Sequence, residues 1–341
     1  MKIQHVVSGV LALVCAPLAA QAQGAADFYK GKNVDVLIGY SAGGGYDVYA
    51  RLLARYLGRH IPGAPTVTPK NMEGAGSLRA ANYLYNAAPK DGLAIAALAR
   101  GAAFDPLFGE NKAQFDAAKF NWIGSANNEV SVCVLWTASG FKSMDDILTK
   151  QIAMGGSGGA ADTDQFVYIM DGVLGAKIKL VQGYPGGNDI NLAMERGEVQ
   201  GRCGWSWSSV KSTQPNWLRD KKISVPVQLS LTRHPELPDV PLITDYAKTD
   251  EDRRIFKLVF SRNIMGRPFV AGPGVPPERI AMLRKAFMEA MTDKDLIAEA
   301  DKMSLEVNPV SGEDLQALVA ETYLTPAAVI KRTAEMLKGP Q

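Results

Sequence analysis

The sequence predicts an α/β protein of two domains, each a mixed sheet flanked by helices, with a cleft between them. Two observations carry this. From residue 34 a short apolar run, a glycine-rich turn and an amphipathic helix recur in that order, and the series restarts after Asn127-Asn128. The 341 residues also supply enough chain for two cores.

The first series begins with residues 34–39, apolar apart from Asp35 and read as a strand. The turn Ser41-Ala42-Gly43-Gly44-Gly45 follows, and then a helix over residues 47–57 that buries Val48, Leu52, Leu53 and Tyr56. A short strand at 66–68 leads through Gly74-Ala75-Gly76 into a helix over 77–86. Pro89-Lys90-Asp91-Gly92 then turns into a strand over 93–98.

The second series sets a strand at 130–136 and a helix capped by Ser143, with Asp145 and Asp146 in its first turn. A strand at 152–154, the loop 155–159 and a helix over 162–172 come next. A strand at 177–181 and the turn Gly183-Tyr184-Pro185-Gly186-Gly187 open a helix over 188–196. Residues 199–205 and 224–231 read as strands, and Trp205 and Trp207 alternate onto one face. Thr249 caps a helix that starts with Asp250, Glu251 and Asp252. Arg267, ahead of Pro268-Phe269, is placed either to meet a ligand carboxylate or to pair with an acid. Pro276-Pro277-Glu278 starts a helix whose Ile280, Leu283 and Phe287 share a face, and Ser311 with Asp314 resembles a capping box.

Residues 1–22 read as an export signal rather than as fold. Lys2 supplies the positive start, residues 6–20 the apolar stretch, and Ala20-Gln21-Ala22 the small-x-small cleavage site. Cleavage after Ala22 removes Lys2, His5 and Cys15 and lowers the net charge from +2 to +1. Near-neutral charge with no run of Lys or Arg argues against a nucleic-acid partner. The scattered His and Cys offer no metal site, and neither a G-x-x-x-x-G-K-[ST] nor a G-x-G-x-x-G after a strand points to a nucleotide cofactor. In an export compartment Cys133 and Cys203 can form a disulfide, and the alternative is two buried thiols.

The chemistry then rests on three glycine loops, 43–45, 155–159 and 183–187, each ahead of a helix. Glycine lets backbone N–H groups approach a ligand, and a helix N-terminus favours an anion. No Lys or Arg lies in these loops, so they suit a small carboxylate better than a diphosphate. Gly155-Gly156-Ser157-Gly158-Gly159 also matches G-x-S-x-G, which leaves a serine hydrolase using Ser157 and His234 as an alternative.

The run Tyr40-Ser41-Ala42-Gly43-Gly44-Gly45-Tyr46-Asp47 with Ala50-Arg51 resembles the substrate-binding proteins of tripartite tricarboxylate transporters, the Bug or TctC family. So do Asn71-Met72-Glu73-Gly74-Ala75-Gly76-Ser77, Ala88-Pro89-Lys90-Asp91-Gly92, residues 183–187, Glu195-Arg196-Gly197-Glu198-Val199 and the turn over 235–241. The resemblance implies a periplasmic two-domain clamshell of the Venus-flytrap, type II-like kind, with no catalysis. The domains would be residues 23–126 plus 261–341 and residues 127–260, with crossovers near Asn127 and Ser261. It further implies a carboxylate ligand, held in the first domain by Tyr40, Ser41, Ala42, Gly43, Gly44 and Asp47, with Gly74, Ala75 and Gly76 nearby. Ser157, Asp162 and Thr163 would hold it in the second domain, beside Tyr184, Gly186, Gly187 and Trp205. The implied partners are a large and a small membrane subunit; a sensor presenting its ligand to a receptor kinase is the alternative. The chain departs from the family pattern at Met265-Gly266-Arg267-Pro268-Phe269, at Gly272-Pro273-Gly274 and at Gly158-Gly159.

Overall fold

The computed structural model describes residues 27–109 and 112–339; the expected signal segment lies outside the described residues. Two mixed sheets organise the chain. The first contains β1 (Asn33–Ile38), β2 (Thr66–Asn71), β3 (Ala94–Ala97), β4 (Asn121–Ser125), β10 (Pro268–Ala271) and β11 (Val310–Ser311), ordered β11-β4-β10-β3-β1-β2. The second contains β5 (Ser131–Trp136), β6 (Ile152–Gly155), β7 (Ile178–Val181), β8 (Gly201–Ser206) and β9 (Ile223–Leu229), ordered β7-β6-β8-β5-β9. Strands β1, β2 and β3 run parallel, as do β6, β7 and β8. Strand β10 is antiparallel to both β3 and β4, and β5 is antiparallel to both β8 and β9.

Both sheets are covered on two faces, which is why their strands read as continuous apolar runs rather than as alternation. Val34, Val36 and Ile38 of β1 enter one cluster while Leu37 enters another; Val132 and Val134 of β5 point away from Cys133 and Leu135. The Cys133 cluster also holds Leu37, Phe104, Phe166 and Phe260, so one core runs between the sheets. Cys133 and Cys203 lie on neighbouring antiparallel strands and are joined, with Cα atoms 3.9 Å apart.

The helices that face the junction are α1 (Gly45–His60), α4 (Asp162–Leu174), α5 (Gly187–Glu195) and α6 (Trp207–Thr213); α2 (Leu78–Asn86) and α3 (Met144–Thr149) lie between α1 and α4 in the chain. After α6 come α7 (Pro215–Arg219), α8 (Asp250–Phe260), α9 (Pro277–Met291), α10 (Lys294–Lys302), α11 (Gly312–Thr322) and α12 (Ala327–Leu337). Capping chemistry sets several starts. Ser143 and Thr249 form reciprocal capping boxes with Asp146 and Asp252, and Ser311 accepts from Asp314 N–H. No helix among the described residues is long and apolar enough to cross a membrane.

The chain passes between the sheets at 126–130 and at 261–267. These segments run side by side, with Ala126 N–H donating to Arg267 O (3.0 Å) and Glu129 N–H to Asn263 O (2.9 Å). The last helix, α12, packs on α4 and α8, so Gly172 of α4 lies against Met336. One local expectation is corrected. Trp207 does not continue the β8 strand beside Trp205: Ser206 is the N-cap of α6 and Trp207 its first residue, so the alternation stops there.

Candidate functional site

A cavity lies where the two sheets meet, at the carboxyl ends of β1, β3, β6 and β8, the position at which open α/β sheets take ligands. Tyr40 follows β1, Arg100 follows β3, Ser157 follows β6, and β8 contributes Arg202, Gly204, Trp205 and Ser206. The first turns of α1 (Gly45, Tyr46), α4 (Asp162, Thr163) and α5 (Gly187, Asn188) complete the wall with Arg267. About 50 Å³ of space is free inside. That admits a few waters but falls far below the roughly 300 Å³ at which ligand pockets begin. An organic acid therefore needs a somewhat wider cavity than this one.

Three arginines face this space, all buried, and each is held differently. Arg100 Nε donates to Asp162 Oδ2, its Nη2 to Ser131 Oγ (2.5 Å) and its Nη1 to Ser206 Oγ (3.3 Å). Burial works against its charge, but the Asp162 carboxylate outweighs this and raises its pKa. Asp162 Oδ1 also takes Arg262 Nη1 at 3.2 Å, so one carboxylate serves two guanidiniums. Arg267 pairs with Glu129 at 3.1 Å, donates to Ser209 Oγ at 2.6 Å and stacks over Tyr46 and Tyr49. Of the two roles open to Arg267, it therefore pairs with an acid and still lines the cavity.

Arg202 has no carboxylate partner among the described residues. Its Nη1 donates to Gly187 O (2.7 Å) and to Asn191 Oδ1 (3.1 Å), both neutral, and its plane lies over the Trp205 ring at 4.6 Å. Its Nε is buried with no acceptor. Burial pulls its pKa down to about 9, which keeps it charged at neutral pH. Beside it, burial holds the Tyr40 phenol well above its ordinary value, so it stays neutral; its ring stacks on Tyr46 at 4.7 Å.

A bulge in β8 explains why Arg202 and Trp205 share a face although they are three residues apart. Val132 pairs with Trp205 and Val134 with Arg202, so three steps on β8 oppose two on β5. The extra step falls at Gly204, whose φ is +67°, and such a bulge re-aims the side chains around it. A Cβ on Gly204 would lie 2.6 Å from the Asp162 carbonyl carbon, so the glycine also lets the start of α4 close onto β8.

Of the residues expected at the site, Tyr40, Gly44, Ser157, Asp162, Thr163, Gly187 and Trp205 line the cavity. Asp47 instead organises the loop ahead of α1. It accepts from Gly43 N–H (3.0 Å), from Arg51 Nε (2.9 Å) and from Asn71 Nδ2 (2.8 Å). Ala42 and Gly43 are exposed. Ser41 Oγ donates to Asp189 Oδ2 at 2.7 Å, and Gly186 packs on Ser41, which ties α5 to the first-sheet loop. Gly74, Ala75 and Gly76 belong to a second such contact: a Cβ on Gly76 would lie 2.5 Å from Ala161 N, and one on Gly158 would lie 3.1 Å from Gly76 N. Tyr184 sits away from the cavity, its Oη 3.5 Å from Glu198.

The positive potential has a second source besides the loops. Gly43 N–H is taken by Asp47, Ser157 N–H by Thr163 Oγ1 (3.0 Å) and Gly158 N–H by Asp164 (3.1 Å). Those are loop donors; the helix starts at the cavity are uncapped, because Gly44, Ala161 and Gly186, the N-caps of α1, α4 and α5, offer no side-chain acceptor to the first turns. Arginines outside the glycine loops add formal charge beside these helix starts. Arg267 stands out in the sequence ahead of Pro268-Phe269, and Arg202 as a charged residue inside an otherwise apolar strand; nothing in the spacing around Arg100, Asn188, Asn191 or Ser209 marks them.

The hydrolase alternative gains no support from the geometry. Ser157 Oγ meets Thr163 Oγ1 at 3.1 Å, whereas His234 Nε2 faces Glu306 at 3.3 Å and its Nδ1 accepts from Glu236 N–H. His234, Glu236 and Glu306 do converge within 4.8 Å, but Lys211 Nζ already bonds Glu236 (2.8 Å) and Glu306 (2.7 Å). An ammonium in that position neutralises the acids a cation would need.

No family model and no curated relative matches the chain. Solved structures do resemble it. The periplasmic binding protein BugD aligns at TM-score 0.72 with 19% identity, over 91% of this chain and 98% of its own. MatC from Rhodopseudomonas palustris, solved with bound malate, aligns at 0.70 and 17% identity over 90% and 99% of the two chains. R. palustris Rpa4515, solved with adipate, aligns at 0.69 and 17% identity over 89% and 97%. The chain has the fold of these periplasmic solute-binding proteins.

Proposed function

We propose that the chain is an exported receptor that captures a small carboxylate and delivers it to the large and small membrane subunits of a tripartite tricarboxylate transporter. The observation that carries this reading is the cavity wall, which presents three guanidiniums and one carboxylate from both sides of the junction. A wall with excess buried cations, in a fold whose solved examples hold malate and adipate, suits an organic acid.

In this reading the signal segment is cleaved after Ala22 and the protein works in the periplasm as a monomer. Residues 23–126 with 261–341 form one lobe and 127–260 the other, with the last helix, α12, crossing back to pack on the second lobe. They hinge at the paired crossovers near Asn127 and Ser261. Closure is supported by the contacts that join the halves, Ser41 to Asp189 and the 74–76 loop to the 158–161 loop. The ligand favours the closed form only by its differential affinity for it, and no bond is made or broken.

The test is a thermal-shift screen across mono-, di- and tricarboxylates, aromatic acids included. A reversible upward shift with one acid, with the acid recovered unchanged, is the expected result. No shift with any acid, or release of a product, refutes the reading.

A further inference from the structure

We propose that Arg202 binds one carboxylate group of the ligand directly, which makes the ligand an acid rather than its amide or ester. This rests on the receptor reading and adds the protein atom that takes the charge.

Arg100 and Arg267 are each matched by a protein carboxylate, Asp162 and Glu129. Arg202 is equally buried and has none among the described residues. A buried cation without a counterion is costly, and removing it from water is offset only by hydrogen bonds and an opposite charge. The structure gives Arg202 neutral acceptors at Nη1 alone, from Gly187 and Asn191, and leaves the Nε side without one. The remaining contacts orient it. The bulge at Gly204 brings Trp205 beneath the guanidinium plane, and Gly187 allows the start of α5 to approach, since a Cβ there would meet Nη1 at 2.8 Å. The guanidinium is thus fixed in plane and in rotation, in the wall of a cavity that both halves line. A fork held this way matches a carboxylate and not a neutral amide.

The experiment measures affinity by titration calorimetry for wild type, Arg202→Gln and Arg202→Lys. The probes are malate, adipate, citrate and benzoate, together with the amide of whichever acid binds wild type most tightly. Wild type is expected to prefer the acid to its amide by about 100-fold, and Arg202→Gln to lose most of that preference through weaker acid binding. Arg202→Lys keeps a point charge without the fork and is expected to lose about tenfold in acid affinity, with amide affinity unchanged. This ratio separates an anchor from a merely structural arginine, whose loss lowers acid and amide alike. If Arg202→Gln fails to fold, Arg202→Lys gives the same comparison. An Arg202 variant that binds acid as wild type does, or loses both probes equally, overturns the anchor while leaving the receptor reading intact. If no acid binds wild type, both fall.

Discussion

Replacing Gly204 with alanine tests the local geometry on which the site depends. Gly204 has φ +67°, and its missing Cβ points at the backbone of Asp162, 2.6 Å from the carbonyl carbon and 2.7 Å from the oxygen. Neither atom can rotate away. The left-handed conformation costs a non-glycine residue roughly 1–2 kcal/mol. Forcing the start of α4 off β8 adds about 1–3 kcal/mol of overpacking. The sum is about 2–5 kcal/mol, and for a chain of this size each kcal/mol lowers the melting temperature by roughly 2–4 °C. Gly204→Ala is therefore expected to melt at least about 4 °C below wild type by circular dichroism. Ligand affinity should fall as well, because Asp162 holds Arg100 and the bulge holds Arg202. Gly159→Ala is the control: a Cβ there meets nothing within 4 Å, and the melt should not move. A Gly204→Ala variant that melts and binds as wild type does refutes the bulge as the positioning device.

Two further predictions concern stability. The Cys133–Cys203 bond closes a loop of sequence separation 70, so removing it by Cys133→Ala with Cys203→Ala, or by reductant, should cost about 4 kcal/mol; melting curves unaffected by reductant would contradict the pairing. Burial pushes the Asp47 carboxyl up, but the hydrogen bonds from Arg51, Gly43 and Asn71 outweigh it and hold its pKa below the ordinary value. Its contribution is then present above the unfolded carboxylate pKa of about 3.9 and is lost as pH falls through the lower folded value. Asp47→Asn should melt lower than wild type at pH 7, and the gap should close on acidification; a gap that stays constant with pH would show that the charge of Asp47 does nothing for the loop.

The sequence made the alternation of strands and helices legible because the strands are buried on two faces and the helix starts carry capping residues. Ser143, Thr249 and Ser311 each mark a helix within one residue. Strands β4 and β11 escaped notice, being short and next to turns. The cavity wall was legible where the backbone itself forms it, at Gly44 and Gly187, and where a side chain follows a strand end, at Tyr40 and Ser157. Asp47, expected at the ligand, has its oxygens hydrogen-bonded to Gly43, Arg51 and Asn71, which only coordinates show. Arg100, Arg202 and Arg267 come from positions 65 or more residues apart, and no local pattern links them. The bulge that aims Arg202 depends on strand pairing, which a single sequence does not display.

The central claim is that a carboxylate is held in the cavity between the two sheets. A crystal structure with the tightest-binding acid tests it most directly. A carboxylate oxygen is expected within about 3 Å of an Arg202 guanidinium nitrogen, with Gly44 and Asn188 contacting the ligand from the two sides. A ligand bound elsewhere, or one in the cavity whose carboxylate faces away from Arg202, would contradict it.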